Sequence, residues 1–153
     1  MTDTANIRLT RADVVDLDPV LVMVRDFHAH DHLPFDPVVV RRILETLIAN
    51  DSLGRLFLVR SDEDVVGYVV LGFGFSIEYL GRDAFVDELF LVESWRGRGV
   101  GRRVLSLLQS EARRLGLGAL HLEVTRGNTR ALALYASSGF RDSDRTMMTW
   151  WTD

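Results

Sequence analysis

The sequence predicts an α/β fold of the α+β mixed type, with one mixed central sheet flanked by helices. Apolar runs of strand-like composition alternate along the chain with amphipathic helical patterns. Two of these runs are joined by the short link SDED at residues 61–64, which favours a hairpin. The length of 153 residues suits one domain over residues 1–153, large enough to bury a core.

Six segments are predicted to be strands because they are rich in β-branched, aromatic and other apolar residues between turn residues. The first precedes two helices, three follow one another, and each of the last two comes after a helix. In the last strand, Met147 and Met148 are expected in the core, and Trp150 and Trp151 against a terminal strand or a dimer face. The six segments are 7–10, 55–61, 64–79, 84–92, 119–124 and 145–151.

Four segments show the apolar periodicity of amphipathic helices. Asp36 before Pro37 is typical of a helix start, and Asn128 supplies a second capping side chain. Gly116 and Gly139 are typical of residues that end a helix. The four helices span 11–30, 35–51, 99–115 and 128–139.

Composition excludes several classes of protein. The net charge of −4, from 18 basic and 22 acidic residues, argues against general nucleic-acid binding. Cysteine is absent, which excludes a thiolate metal site and a cysteine nucleophile and suits a reducing compartment, so we predict the cytoplasm. The N-terminal residues lack a signal-peptide core, and the most apolar run, at 65–75, is too short to cross a bilayer. Neither nucleic acid nor membrane is expected as a partner.

The stretch RGRGVG at residues 96–101 lies between a predicted strand and the clearest helix. A helix N-terminus presents unpaired N–H groups and partial positive charge, and glycines let a ligand approach them. Residues 96–114 also hold six arginines and one glutamate. The pattern predicts a site for a small anion such as a phosphate group, with a solvated glycine turn as the alternative. Its spacing and the arginines after it match neither a kinase-type loop nor the dinucleotide fingerprint.

Two segments resemble the GNAT family of N-acetyltransferases. DELFLVESWRGRGVGRRVL resembles the family's signature segment with its Arg-x-x-Gly-x-Gly loop, and LEVTRGNTRALALYASSGF resembles its late strand and helix. Ser94 stands where many members have proline. The resemblance covers most of the chain and implies the GNAT-type acyl-CoA N-acyltransferase fold, with acetyl-CoA as co-substrate.

The resemblance also implies which residues contact acetyl-CoA. Amides of the glycine loop would hold the pyrophosphate, and the preceding strand would pair with the pantetheine arm. The implied contacts are Leu89, Phe90 and Leu91 on the strand, Arg96, Gly97, Arg98, Gly99, Val100, Gly101 and Arg102 in the loop, and Asn128 and Tyr135 on the late helix.

Acetyl transfer to an amine needs a base, donors for the developing oxyanion and an acid for the thiolate. The resemblance implies that Tyr135 is the acid, and Tyr135 shares a helix face with Asn128. A tyrosine that fills a core gap is the alternative. Glu88 is the expected base, with Asp87 beside it, acting directly or through water; for each of the two, a carboxylate that pairs with an arginine or caps a loop is the alternative. Strand alternation sends these two to opposite faces unless a bulge intervenes, and the N–H of Leu91 is the expected oxyanion donor.

The acceptor is expected at Glu78, Tyr79 and Asp87. With Asp31 and Asp36 they would form an acidic, partly aromatic funnel for a cationic amine, although solvated loop carboxylates explain them equally well.

Three histidines alternate at His28, His30 and His32, a spacing that can supply metal ligands. No cysteine or second cluster supports such a site, so we predict no metal. His28 or His32 would instead line the acceptor pocket.

The sequence therefore predicts an N-acetyltransferase that moves acetyl from acetyl-CoA to a primary amine. Transfer is expected to be direct, within a ternary complex, because no cysteine is present to form an acetyl-enzyme. A small cationic amine is favoured over a protein amine, and a homodimer is expected. The alternatives are a non-catalytic acetyl-CoA-binding sensor or regulatory module and a nucleotide-phosphate enzyme.

Overall fold

A computed structural model describes residues 4–153 of the chain. The chain forms two compact units that divide between Glu123 and Val124. The first unit holds the sheet and three helices, and the second holds one helix followed by irregular chain. The strands and α-helices are, in chain order, β1 (Ile7–Arg11), α1 (Leu17–His30), α2 (Pro37–Ala49), β2 (Gly54–Ser61), β3 (Asp64–Ser76), β4 (Gly81–Leu91), α3 (Val100–Arg114), β5 (Leu120–His121) and α4 (Thr129–Ser137).

The five strands form one sheet in the order β1-β2-β3-β4-β5. The first four are antiparallel to their neighbours, whereas β5 runs parallel to β4. Helices α1 and α2 pack on one face of this sheet and α3 packs on the other. The predicted fold class, a mixed central sheet flanked by helices, is confirmed.

Alternate residues of the strands divide between two hydrophobic cores, as the two-residue period of a strand requires. Leu58 and Tyr68 pack with α1 and α2, whereas their neighbours Val59 and Val69 pack with α3. All four are almost completely buried. The sheet therefore separates a face covered by two helices from a face covered by one.

Local signals in the sequence fix several of these elements. The carboxylate of Asp36 accepts hydrogen bonds from the N–H groups of Val38 and Val39, and α2 begins at Pro37, as predicted. Ser61 pairs with Asp64 across a two-residue turn, which confirms the hairpin between β2 and β3. Among residues 4–153, no helix combines the length and the hydropathy needed to cross a membrane.

The C-terminal part of the chain departs from the prediction. The strand expected at 119–124 shortens to Leu120–His121, and residues 145–151 form no strand. Met147 and Met148, expected in the core, are 60% and 89% exposed. The apolar residues of this segment stand in adjacent pairs, and neighbours on a strand point to opposite faces, so a strand here would need cover on both faces.

Candidate active site

The glycine loop leads directly into α3. Gly97 and Gly99 have φ angles of +71° and +79°, a left-handed conformation that strains residues with a side chain. Gly99 is the N-cap of α3, and the first amide to bond back into the helix is that of Arg103, which donates to the Gly99 carbonyl at 3.2 Å. The N–H groups of residues 100–102 therefore have no acceptor within the helix and can bind an anion.

Arg96 attaches this loop to the end of β4. Its Nε donates a hydrogen bond to the carbonyl of Leu91 at 2.8 Å, and its guanidinium lies over the Phe90 ring, 5.2 Å from the centroid. Arg98 lies over the Trp95 ring at 5.6 Å. These contacts hold the start of the loop close to the strand.

One edge of β4 is largely unpaired. In the part of the chain that the structure describes, β5 pairs with β4 at Ala84 and Phe85 alone. The N–H of Val92 donates to the Val66 carbonyl on the β3 side at 2.9 Å. Backbone groups alternate in direction along an antiparallel strand, so Leu89 and Leu91 direct their N–H groups to the edge away from β3.

A β-bulge interrupts β4 at Asp87. Leu71 of β3 pairs with Val86, and its neighbour Val70 pairs with Glu88, so Asp87 has no partner of its own. The extra residue changes the alternation of side chains along the strand. Glu88 contacts residues of α1 and β3, and Asp87 lines a groove beside α2. The bulge thus places both carboxylates on the face covered by α1 and α2.

Glu88 is the centre of a hydrogen-bonded network. Its Oε1 accepts from the Tyr68 hydroxyl at 2.8 Å, and its Oε2 lies 2.5 Å from Nε2 of His28. The other ring nitrogen of His28, Nδ1, lies 2.9 Å from the carbonyl of Pro34. The side chains of His28 and Glu88 are each 16% exposed. Because a carbonyl only accepts, Nδ1 must carry a proton, and a proton on Nε2 as well would satisfy both contacts.

The surroundings favour that doubly protonated form. Burial opposes the charge on His28, but the hydrogen bonds to Pro34 and Glu88, together with the negative charges of Glu88 and Asp31, outweigh it and raise the pKa of His28. Burial, and then the charge of Glu88, raise the pKa of Tyr68 far above its ordinary value. Tyr68 therefore remains a phenol that donates to the carboxylate.

A groove of about 390 Å³ lies between α2 and the strands β3 and β4. Asp87 lines it together with apolar side chains from the helix and both strands. Because Asp87 adjoins Glu88, this groove and the Glu88 network lie next to each other on one face of the sheet.

The other predicted acceptor residues lie elsewhere. Glu78 and Tyr79 belong to the turn between β3 and β4, where the Tyr79 ring packs against His121 at 4.5 Å. Asp87 is six residues along β4 from the Gly81 end of that turn, roughly 20 Å at the rise of a strand. The ring of His121 lies in turn 5.0 Å from that of Phe85, and the acceptor role of Glu78 and Tyr79 stays a prediction.

The remaining candidates of the N-terminal half have separate partners. Asp36 caps α2, and Nδ1 of His30 lies 3.0 Å from Oδ1 of Asp31. The three alternating histidines do not converge, because only His28 reaches the Glu88 network. Within residues 4–153, no three His, Cys, Asp or Glu side chains are placed to hold a metal ion.

The late helix α4 belongs to the unit that begins at Val124. The side chain of Asn128 accepts from the N–H of Ala131 at 3.1 Å, which confirms it as the N-cap. The ring of Tyr135 packs against Phe140, with centroids 6.1 Å apart. Burial raises the pKa of Tyr135, so its phenol holds its proton at neutral pH. The cofactor contacts expected of Asn128 and Tyr135 stay predictions.

Two functional partners were missed or underestimated from the sequence. The sequence pattern predicts only that Tyr68 belongs to an apolar strand; the available signal for its role is that a buried hydroxyl requires a hydrogen-bond partner. His28 was expected at the acceptor pocket but not against Glu88, which lies 60 positions away in sequence.

Comparison with known proteins agrees with the fold. The family model described as the acetyltransferase (GNAT) family matches residues 21–140. Thialysine N-epsilon-acetyltransferase of Bos taurus is 31% identical over 78 residues, which are 51% of this chain and 45% of that protein. An integron cassette protein from a Cole Harbour salt marsh metagenome is 27% identical, with a TM-score of 0.84 over 98% of this chain and 92% of that one.

A predicted acetyltransferase of Clostridium acetobutylicum, solved with acetyl-CoA, shares the fold at 15% identity, with a TM-score of 0.76 over 94% of this chain and 95% of that one. The chain spans about half the length of the curated relatives it matches, 54% and 45% for the first two. The family model covers most of the chain, and the chain belongs to the acetyltransferase (GNAT) family. The resemblance found in the sequence is confirmed.

The Glu88 network predicts an elevated pKa for His28. Titration of the imidazole by NMR should give a value above the ordinary one of about 6.5. Changing Glu88→Gln should lower that pKa because the anionic partner is lost, whereas Asp87→Asn should leave it elevated. Because the folded-state pKa is raised, the stability from His28 is fully present below about pH 6.5 and is lost as pH rises through the folded-state value. A pKa at or below 6.5 in the unmodified protein would contradict the network.

Proposed function

We propose that this protein is an N-acetyltransferase that moves acetyl from acetyl-CoA to a primary amine. The observation that carries the proposal is the edge of β4 at Leu89 and Leu91, whose N–H groups have no strand partner among the described residues and which leads to the amides at the start of α3 that have no acceptor within the helix. Family membership and the amine named for the thialysine relative support the same activity.

The loop and the strand supply two kinds of contact for acetyl-CoA. The amides of residues 97–102 would bind the pyrophosphate, helped by the positive end of α3 and by nearby arginines. The outward backbone groups of Leu89 would pair with the amide-containing pantetheine arm as an added strand does, while the outward carbonyl of Leu91 already accepts from Arg96. The thioester then supplies the acetyl group beside the bulge of β4.

Glu88 is the proposed base and Asp87 the proposed partner of the incoming ammonium. Each oxygen of Glu88 already accepts one hydrogen bond but has a second lone pair for the amine or for a bridging water. One ammonium proton passes to Glu88, so the amine nitrogen gains the lone pair that it needs to attack the acetyl carbon.

The remaining steps need an oxyanion donor and an acid. The N–H of Leu91 points to the open edge and is the proposed donor to the developing negative charge on the acetyl oxygen. As the C–N bond forms and the C–S bond breaks, Tyr135 is proposed to give its proton to the departing thiolate and to regain one from the amine nitrogen. Direct transfer in a ternary complex fits a chain without cysteine.

Several finer expectations remain proposals on the basis of the sequence. These are a small cationic amine in preference to a protein amine, a homodimer, the cytoplasm as location and a single domain over residues 1–153.

Gly99→Val should block acetyl-CoA binding. The added side chain would stand beside the loop amides, and the φ of +79° adds strain of about 1–2 kcal/mol. Calorimetry should show the dissociation constant for acetyl-CoA rising at least about tenfold, a change of about 1.4 kcal/mol. Gly116→Val is the matched control, because Gly116 ends α3 with a φ of +71° and open space around it.

The control should bind acetyl-CoA as the unmodified protein does. If circular dichroism shows that Gly99→Val is unfolded, Gly99→Ala replaces it in the binding measurement. Unchanged binding in a folded Gly99 variant would place the pyrophosphate elsewhere.

Tyr135→Phe should separate binding from chemistry. Loss of the hydroxyl removes the proposed acid, so kcat should fall by roughly 10²–10⁴-fold while the dissociation constant for acetyl-CoA stays the same. Thiol release measures the first quantity and calorimetry the second. Unchanged kcat would remove Tyr135 as the acid, and acetyl-CoA binding without turnover of any amine by the unmodified protein would favour a sensor module.

A further inference from the structure

The groove beside Asp87 has the size and the walls of a small-molecule site. Its volume of about 390 Å³ falls within the range of such pockets. Most of its lining is apolar and comes from four separate parts of the chain. The apolar side chains that matter most are Ile43 and Leu47 of α2, Leu53 before β2, Val70 of β3 and Phe85 of β4.

Several of these apolar side chains remain accessible in the groove. Ile43 is 57% exposed, Leu53 is 48% exposed and Phe85 is 37% exposed. Apolar side chains that converge on a concave surface and stay accessible are typical of a ligand-binding site. A ligand with a hydrocarbon arm would cover all three and gain the hydrophobic free energy of that burial.

The charged residues that line the groove favour a ligand with one positive charge. Asp87 is the one carboxylate among the described residues that line it, and Arg42 lines the same groove. A ligand with a single ammonium group therefore finds one anionic partner. A second ammonium group at the far end of the arm would meet no second carboxylate among these lining residues and would share an apolar groove with the guanidinium of Arg42, which is unfavourable.

The position of Asp87 connects the groove to the chemistry. The bulge places Asp87 next to Glu88, and Leu89 with its outward N–H follows. An ammonium bound at Asp87 would thus lie beside the proposed base and the proposed place of the thioester.

We propose that the acceptor is a primary monoamine with an aliphatic or aromatic arm, bound through Asp87 and the apolar walls of this groove. This inference rests on the proposed acetyl transfer. It narrows the preference drawn from the sequence, because polyamines lack a second anionic partner here. Asp87 holds the ammonium, and Ile43, Leu53 and Phe85 cover the arm.

Hexylamine and 1,6-diaminohexane test the proposal as a matched pair, because they differ only in the second ammonium group. With the full chain and saturating acetyl-CoA, kcat/KM from thiol release should be at least about tenfold higher for hexylamine. Equal values, or a preference for the diamine, would overturn the proposal. So would a peptide amine that is acetylated at least about tenfold better than hexylamine.

Leu53→Asp places a second carboxylate on the groove wall. It should shift the ratio of kcat/KM values by about tenfold toward the diamine. Val38→Asp is the control, because Val38 lies on α2, is exposed and does not line the groove. The control should keep the ratio of the unmodified protein. A ratio that moves no more in Leu53→Asp than in Val38→Asp would contradict the proposed site.

Amine acetylation and hexylamine binding, measured separately, show whether the proposed acceptor class or the proposed acetyl transfer is wrong. If other amines are acetylated but hexylamine is not, acetyl transfer stands and the acceptor class is wrong. If no amine is acetylated, NMR with hexylamine and CoA decides. Shifts of the Ile43 methyl and Phe85 ring signals would support the groove while acetyl transfer fails, and unchanged signals would overturn the groove as well.

Discussion

Asp87 is an extra residue in β4 with no pairing partner on β3, and its insertion determines which way the neighbouring side chains of β4 point. An inserted residue bends a strand and resets the alternation of its side chains. Pairing with β5 stops at Phe85, two residues before the insertion, and among the described residues the N–H groups of Leu89 and Leu91 beyond it have no strand partner. The same insertion places Glu88 and Asp87 on one face. The open edge and the two neighbouring carboxylates therefore lie side by side on β4.

The network around Glu88 holds this arrangement in place. Tyr68 binds one carboxylate oxygen from β3, and His28 binds the other from the end of α1, where the Pro34 carbonyl orients the ring. A buried donor or acceptor that loses its hydrogen-bond partner lowers the free energy of unfolding by about 1–3 kcal/mol. Movement of the Glu88 carboxylate away from Tyr68 or His28 would carry this cost, so the two contacts hold it in place. At the end of the strand, Arg96 ties the glycine loop to Leu91. The loop, the strand and Glu88 are thus parts of one connected structure.

Features that depend on residues adjacent in the sequence could be predicted from it. The cap at Asp36, the hairpin at residues 61–64 and the glycine turn before α3 each follow from a few adjacent side chains, and all three are present. The sequence could not predict features that depend on distant pairs. Nothing in the letters DEL marks a bulge, and the contact of His28 with Glu88 joins residues 60 positions apart. The prediction of a strand at 145–151 was wrong, because the apolar residues there stand in adjacent pairs and so do not form one face that could be buried.

Hydrogen exchange at β4 tests most directly the claim that this strand presents an open edge to acetyl-CoA. Without acetyl-CoA, the amide of Phe90 should be protected, because it faces β3, whereas those of Leu89 and Leu91 should exchange faster. Saturating acetyl-CoA should slow exchange at Leu89 and Leu91 by at least about tenfold and leave Phe90 nearly unchanged. Unchanged exchange at Leu89 and Leu91 while acetyl-CoA is bound would contradict the account.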